Sequence, residues 1–468
     1  MTDDTKSTLD DTSEPSHRRA PPARLALVCV WAADPARVGE TLPLPLGKFV
    51  ELGRGTTLVR QRPGANEKTE PLANPYLSRV QLRVRNDGDT ARVERVGKRA
   101  LVGPDGDEVE SANVAEGQVI EIRGQYVFVC VRRPDTIEPL RSLRPRSYVF
   151  GEPDAHGFVG ESPAAWAIRD DAAFAAARNA HVLLLGESGT GKEVVAQAIH
   201  AQSNRSQRKM VSRNAATLPS GIIDAELFGN IANYPNAGTP ERPGLVGEAD
   251  GSTLFLDEIG ELSEELQTRL LRLLDERGEY QRLGEARRRT ADLRFVGATN
   301  RPVEALKHDV AARLRLRLTL PGFEARREDI TMIARALLRR VALRDAPMAE
   351  RFFEGDVRAG QPRMAPALAR ALTTHKYTTH ARELDALLWR SLATSRSDTL
   401  ELTDEVQAEL DSSADKAGRA DPTALTAEAV RAALDRAGGS REKAWRDLGL
   451  ANRHVLKRLI KKLGLEDE

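Results

Sequence analysis

The chain has 468 residues, a length that predicts about three domains. It is 40% hydrophobic and 30% charged with a net charge of +1, which excludes a polycation and makes any nucleic-acid surface local. No run approaches the roughly 18 apolar residues of a membrane span. The start, Met1-Thr2-Asp3-Asp4, lacks the basic start and apolar core of a signal peptide. Cys29 and Cys130 each sit in an apolar run, as buried thiols of a reducing cytosol do. A cytoplasmic protein with no membrane partner is expected.

Residues 1–22 are expected to be a disordered tail. Residues 23–135 read as short strands: Leu25–Trp31, Phe49–Leu52, Val80–Val84, Ala91–Val96, Val119–Ile122 and Tyr126–Val131. Turn residues such as Gly103-Pro104-Asp105-Gly106 separate them, which predicts a β-sandwich. Residues 136–156 are expected to be a linker. Its basic cluster of Arg141, Arg144 and Arg146 reads as a solvated hinge.

The most informative segment follows. His181-Val182-Leu183-Leu184-Leu185 is an apolar run that leads into Gly186-Glu187-Ser188-Gly189-Thr190-Gly191-Lys192-Glu193, and a helical pattern continues from there. Strand, glycine-rich turn and helix make a phosphate-binding loop: its N–H groups point at phosphate oxygens, and Lys192 adds a charge for the β- and γ-phosphates. Downstream, Thr253-Leu254-Phe255-Leu256 forms a buried strand that ends in Asp257 and Glu258. Asp257 suits Mg²⁺ coordination and Glu258 suits polarising the attacking water. ATP and Mg²⁺ are the expected cofactors of an α/β P-loop ATPase over residues 157–396, and a second linker is expected over 397–423.

The C-terminal residues 424–468 read as a helix-turn-helix. Thr426-Ala427-Glu428 caps a helix through Ala437, Gly438-Gly439-Ser440 separates it from the next, and Asn452–Leu463 forms the third. Leu448, Leu450, Val455, Leu456, Leu459 and Leu463 make the core stripe. Asn452, Arg453 and His454 would lie nearest DNA bases, and Lys457, Arg458 and Lys461 would meet phosphates. A basic three-helix cap with no DNA is the alternative.

Residues 157–396 resemble the AAA+ domain of the bacterial enhancer-binding proteins, the sigma-54 activators. The motifs are Phe158-Val159-Gly160-Glu161-Ser162, the phosphate loop with its unusual Glu193, Asp224-Ala225-Glu226-Leu227-Phe228-Gly229, Ala249-Asp250-Gly251-Ser252, Ala298-Thr299-Asn300 and Arg382-Glu383-Leu384. The resemblance implies a helical lid, a homo-oligomeric ring, an adenine contact at 158–162, and an Asn214 that holds the catalytic Glu258. It also implies that Asn300 reads the γ-phosphate and that Arg382 reaches the nucleotide from the lid. Lys307 and Arg313 occupy the places of the two arginines that act on a neighbouring subunit. Lysine keeps the charge there but loses the planar fork.

Two segments depart from the pattern. Where the family has Gly-Ala-Phe-Thr-Gly-Ala, which touches sigma-54, this chain has Asn233-Tyr234-Pro235-Asn236-Ala237-Gly238. Where it has Trp-Pro-Gly-Asn-Val, this chain has Tyr377-Thr378-Thr379-His380-Ala381. The end of the chain is similar to the family's Fis-type helix-turn-helix. Gly53-Arg54 with Leu77-Ser78-Arg79 resembles a forkhead-associated (FHA) domain, which implies phosphothreonine binding by Arg54, Ser78 and Arg79. Gln81 replaces that family's usual His, and Val96-Gly97-Lys98-Arg99 stands where its Asn is expected.

The whole is therefore expected to be multidomain: an all-β sandwich, an α/β ATPase with a helical lid, then an all-α helix-turn-helix. It reads as an ATP-dependent, DNA-binding transcription regulator with RNA polymerase holoenzyme and a phosphothreonine protein as candidate partners. The alternatives are a DNA-bound regulator that keeps the ATPase scaffold without remodelling sigma-54 polymerase, and a phosphopeptide adaptor.

Overall fold

The computed structural model describes residues 23–142, 148–218, 222–357, 360–417, 427–436, 444–445, 448, 450, 453–463 and 465. The side chains of 414–417, 428, 435, 453–455 and 461–462 lie outside the description. The tail 1–22, Arg144, Arg146 and Asn452 also lie outside it.

The N-terminal region is two antiparallel sheets face to face. One runs in the order Ala65–Lys68, Val59–Arg62, Thr41–Pro43, Ala23–Ala32, Tyr126–Pro134, Val119–Ile122, Leu101–Val102, Glu108–Val109. The other runs Ser111–Ala115, Thr90–Arg95, Leu82–Asn86, Phe49–Leu52. The alternation of side chains along a strand explains the core. Leu25, Leu27 and Cys29 join Val84, Val93, Phe128 and Cys130 between the sheets. Burial pushes both thiols up, Cys130 to about 12, so both stay protonated. The other face of the same strands carries Val28, Val30, Val127 and Val129, which are also fully buried. The cover is helical, from Ile330–Ala342 and Pro366–Thr374. That is why Leu25–Trp31 reads as a continuous apolar run rather than an alternating one.

The central region has a five-stranded parallel sheet in the order Val211–Asn214, Thr253–Asp257, Arg294–Thr299, Val182–Leu185, Leu316–Thr319. Apolar clusters line both faces, as a parallel sheet under helices requires. The C-terminal strand ends open onto the loops of the site.

The lid helices Ile330–Ala342, Ala346–Phe352, Pro366–Thr374 and Ala381–Thr394 share one core. That core also takes Leu400, Val406 and Leu410, the last two from a helix at Asp404–Ala417. The expected linker at 397–423 is thus corrected over its described part. Its spaced apolar residues form a helix face against the lid, despite the many acidic residues around them. Of the basic cluster read as a solvated hinge, Arg141 is exposed and is tied to the first helix of the central region. Arg141 Nε and N and Ser142 N all donate to Asp170, and Arg141 also pairs with Asp171.

The sandwich and the ATPase meet through polar contacts as well as apolar ones. Trp31 Nε1 donates to Met364 O at 2.7 Å. Arg370 donates to Gly103 O and Pro104 O at 2.7 and 2.9 Å. Arg133, buried on the last strand of the sandwich, donates to Glu161 O at 3.0 Å and lies 3.7 Å from Glu328. Burial pushes the Glu328 carboxyl up to about 7, against the opposing pull of Arg133.

At the C-terminal end, helices Ala427–Arg436 and Arg453–Lys462 enclose Val430, Ala433, Ala444, Leu448, Leu450, Leu456, Leu459 and Ile460.

Candidate nucleotide site and its neighbours

The buried strand Val182–Leu185 runs into a loop whose Gly189 has φ 80° and passes close under the lid. A Cβ there would come within 2.1 Å of Thr379 O, so only glycine fits. The helix Lys192–Ala201 starts from Gly191, with no side chain capping it. Its first amides are therefore free for an anion, with the dipole behind them. Lys192 is buried and donates through Nζ to Gly186 O and Glu187 O at 2.8 and 3.0 Å. Burial lowers its pKa, and the charges of Glu258 and Asp257 oppose that shift. Thr190 Oγ1 donates to Glu187 O at 2.9 Å, and Glu193 accepts from Gln197 at 3.4 Å on the helix surface.

The carboxylates end the strand Thr253–Asp257, which Arg294–Thr299 separates from Val182–Leu185. Asp257 Oδ1 accepts the N–H of Glu258 at 3.0 Å. Glu258 has φ 54° and ψ 45°, a left-handed conformation that costs a side-chain-bearing residue on the order of 1–3 kcal/mol. Its Oε2 accepts the N–H of Asn300 at 3.4 Å, and the Asn300 side chain is exposed. Asn214 lies opposite Asp257 in the parallel ladder. Its Oδ1, however, accepts the N–H of Ala216 at 2.9 Å, and no Asn214–Glu258 hydrogen bond exists among the described residues. The expected grip of Asn214 on Glu258 is corrected accordingly: a turn at Ala215–Thr217 uses the Asn214 side chain as its cap.

The lid grips the phosphate loop from the other side. Arg382 Nη1 donates to Ser188 Oγ at 2.6 Å, and Arg326 donates to Thr190 O at 2.9 Å. Ala381 N donates to Gly189 O at 3.2 Å, and His380 Nε2 lies 2.9 Å from Glu187 Oε2. Sequence reasoning found Arg382 and missed Arg326 and His380. The departure at 377–381 was the only signal for His380. For Arg326 there was none.

Lys307 and Arg313 are held by groups of their own chain. Lys307 Nζ donates to Thr268 Oγ1 at 2.9 Å and lies 3.4 Å from Glu264. Arg313 Nε donates to Asp275 Oδ1 at 2.5 Å. Among the described residues neither pairs with Asp257 or Glu258.

The loop at 230–242 is tied across its base, and residues 232–238 at its tip are exposed. Asn230 Nδ2 reaches Ile231 O, Tyr234 O and Pro240 O, Asn233 Oδ1 accepts from Gly238 N at 2.9 Å, and Arg282 pairs with Glu241 at 2.6 Å. The Tyr234 ring lies beside Gly284, where a Cβ would come within 2.5 Å of it, and the side chain is 41% exposed.

In the sandwich, Arg54, Ser78, Arg79, Lys98 and Arg99 gather on adjoining loops. Arg54 N donates to Ser78 O at 3.0 Å, and Lys98 N donates to Ser78 Oγ at 3.1 Å. Buried Gln81 holds Ser78 N and Arg99 O, at 3.4 and 2.8 Å. Among the described residues none of the four cationic side chains is in an ion pair, although most arginines of this domain are. At the far end of the chain the side chains of Lys457 and Arg458 are exposed. Those of Arg453, His454 and Lys461, and all of Asn452, fall outside the described residues.

Residues 158–321 match the family described as Sigma-54 interaction domain. The transcriptional regulatory protein ZraR of Klebsiella oxytoca is 34% identical over 315 residues, which cover 65% of this chain and 68% of ZraR. The Nif-specific regulatory protein of Azotobacter vinelandii is 34% identical over 316 residues, covering 64% of this chain and 58% of that protein. A crystal structure of NtrX from Brucella abortus in complex with ADP shares 27% identity at a TM-score of 0.47, covering 66% of this chain and 70% of NtrX. The β-rich N-terminal region is followed by an AAA+ α/β domain, and the chain belongs to the family of transcriptional regulators that carry a sigma-54 interaction domain.

Proposed function

We propose that the chain is a cytoplasmic, DNA-bound transcription regulator driven by ATP hydrolysis. The observation that carries this reading is the convergence of Lys192, Asp257, Glu258 and Arg382 around one glycine loop. ATP fits the loop: the Gly191 helix start leaves amides free, and Gly189 leaves room for the lid. Mg²⁺ fits as well, because it takes one or two carboxylates and fills the rest of its shell with water and phosphate oxygens. Asp257 offers an oxygen with no described hydrogen bond, and the ion would spread charge on the γ-phosphate there.

In this reading Lys192 leaves its resting carbonyls to meet the β- and γ-phosphates. The residues Gly186, Glu187, Ser188, Gly189, Thr190, Gly191 and Glu193 shape the cradle. Glu258 takes the proton of the attacking water, and its strained backbone fixes the carboxylate toward Asn300. Arg382 reports the phosphates to the lid. Lys307 and Arg313 act on the next subunit of a homo-oligomeric ring, exchanging their present intrachain partners for its nucleotide. The C-terminal helices bind DNA, with Asn452, Arg453 and His454 toward bases and Lys457, Arg458 and Lys461 toward phosphates. Arg54, Ser78 and Arg79 receive a phosphothreonine protein as the input signal, on FHA-like loops.

One observation favours a second reading of the output. In the segment that replaces the sigma-54-contacting tip, the Tyr234 ring rests against Gly284 and Asn233 accepts from Gly238. On that ground the regulator keeps the ATPase and does not open sigma-54 promoters by the family's usual contact.

Glu258→Gln is expected to keep ATP binding and lose turnover by roughly 100-fold or more, since water loses its base. Lys192→Ala is expected to lose ATP binding itself. Wild-type turnover in Glu258→Gln rules out the catalytic assignment.

Arg458→Ala is expected to weaken DNA binding alike on all sequences and to reduce the salt slope by about one. Gel shifts across a salt series with the full chain check this. No DNA binding by the wild-type chain at low salt removes the reading.

A phosphothreonine peptide titrated by calorimetry is expected to bind, and Arg54→Ala is expected to abolish the signal through loss of a charge-assisted bond. Binding that survives Arg54→Ala places the site elsewhere.

On a sigma-54 promoter, the purified chain with ATP is expected to form no open complex. ATP-dependent opening that is lost on Tyr234→Ala would falsify this and make the loop a working variant.

A further inference from the structure

His380 is fully buried at the start of the lid helix Ala381–Thr394, yet its backbone has φ 43° and ψ −114°. That region favours glycine, and a β-carbon there stores strain that the surroundings must hold. The ring is held on three sides. It packs on Phe323 with ring centres 5.4 Å apart. Phe323 N–H donates to Nδ1 at 3.3 Å, which places the ring proton on Nε2. Nε2–H then donates to Glu187 Oε2 at 2.9 Å. The ring also lies where a Cβ on Gly322 would be, with Cε1 at 2.6 Å, so glycine at 322 is what admits the imidazole.

Glu187 belongs to the phosphate loop, and its carbonyl is where Lys192 Nζ and Thr190 Oγ1 both rest. The histidine is therefore tied to the residue whose main chain sets the position of the phosphate-directed lysine. The other lid contacts lie on the next three loop residues, but only this one is made by a side chain under backbone strain.

We propose that His380 is a positioning residue: a lid latch that, through Glu187, sets the phosphate loop in its nucleotide-receiving shape. The inference rests on the ATPase reading. The strained turn is held by the packing of the ring, and the Nε2–H bond transmits the position of the lid to the loop. The latch acts on nucleotide affinity rather than on the chemical step, because Asp257 and Glu258 lie outside it.

The test uses the full chain and a fluorescent ADP analogue, with His380→Ala, His380→Gln, Glu187→Ala and the double variant His380→Ala/Glu187→Ala. Each alanine variant is expected to weaken ADP binding about tenfold, the size of a hydrogen bond to a charged group. The double variant should be no weaker than the worse single one, since both remove one contact. Glutamine keeps a donor and should recover affinity to within about threefold of wild type. In steady state, the KM for ATP should rise with the loss of affinity, while kcat changes less than about threefold. Glu187 is a surface side chain, 69% exposed, so its truncation leaves the lid folded even if His380→Ala does not fold. Unchanged ADP affinity in Glu187→Ala, or additive losses in the double variant, overturns the latch. A wild-type chain that binds no ADP overturns the ATPase reading beneath it, and that titration separates the two failures.

Discussion

The carboxylate of Asp329 is the interaction on which three parts of the molecule depend. It is fully buried at the entry to the lid, and it accepts from Glu161 N and Ser162 N at 2.8 and 3.0 Å and from Ser162 Oγ at 2.6 Å. A buried carboxylate is tolerated only with such donors around it. Gly160 makes the approach feasible, since a Cβ there would come within 2.5 Å of Asp329 Oδ2. The segment 158–162, which precedes the core, is thereby fixed to the lid that follows it. The N-terminal sandwich is fixed to the same point. Arg133 takes the carbonyl of Glu161, and Arg62 lies 3.5 Å from the Glu161 carboxylate. The sandwich and the lid entry therefore share one hydrogen-bonded turn at Glu161–Ser162.

Much of the central domain was legible in the sequence because its motifs are statements about backbone geometry. A glycine loop between a buried strand and a helix, followed by a strand that ends in two carboxylates, has few ways to be arranged, and the five-stranded sheet arranges them so. The sandwich was legible at its long strands and not at its short ones. Thr41–Pro43, Leu101–Val102 and Glu108–Val109 are too short to show a period, and Ala65–Lys68 is exposed on every residue. The helix Asp404–Ala417 was hidden for a different reason. Its acidic surface outweighs Val406 and Leu410 in composition, although those two side chains decide where it packs.

The site was legible where a residue acts alone and not where it acts through a partner far along the chain. Lys192, Asp257 and Arg382 were singled out by type and place, and the fold brings them to one loop. Arg326 and His380 acquire theirs from contacts with Thr190 and Glu187, more than a hundred residues away. A histidine or arginine in a helical segment gives no sign of such a partner, and only the three-dimensional path of the lid brings them together. Asn214 shows the converse: its type and place suggested a grip on Glu258, but an Asn that follows a strand also finds a cap close by, and local hydrogen bonds compete well with distant ones.

The departures from the family pattern fall where the ATPase meets something else. Lys307 stands where the resemblance implies a subunit contact, 233–238 where it implies the sigma-54 contact, and 377–381 at the start of the lid helix Ala381–Thr394. At each place the changed residues are paired internally: Lys307 with Thr268 and Glu264, Asn233 with Gly238, His380 with Glu187. An internally paired group must give up that bond before it contacts a partner, whereas a flexible, unpaired tip pays only its own ordering entropy. Bonds of about 1 kcal/mol each are small singly. The two N–H groups of Asn230 Nδ2 are shared among the carbonyls of Ile231, Tyr234 and Pro240, so at most two such bonds tie the base of the loop at once. Lys307 differs, because a half-exposed ammonium with one hydroxyl and one carboxylate neighbour is weakly held and can be redirected. Lys307 is thus loosely held, whereas Asn233 is tied to Gly238 and Thr239 within its own loop.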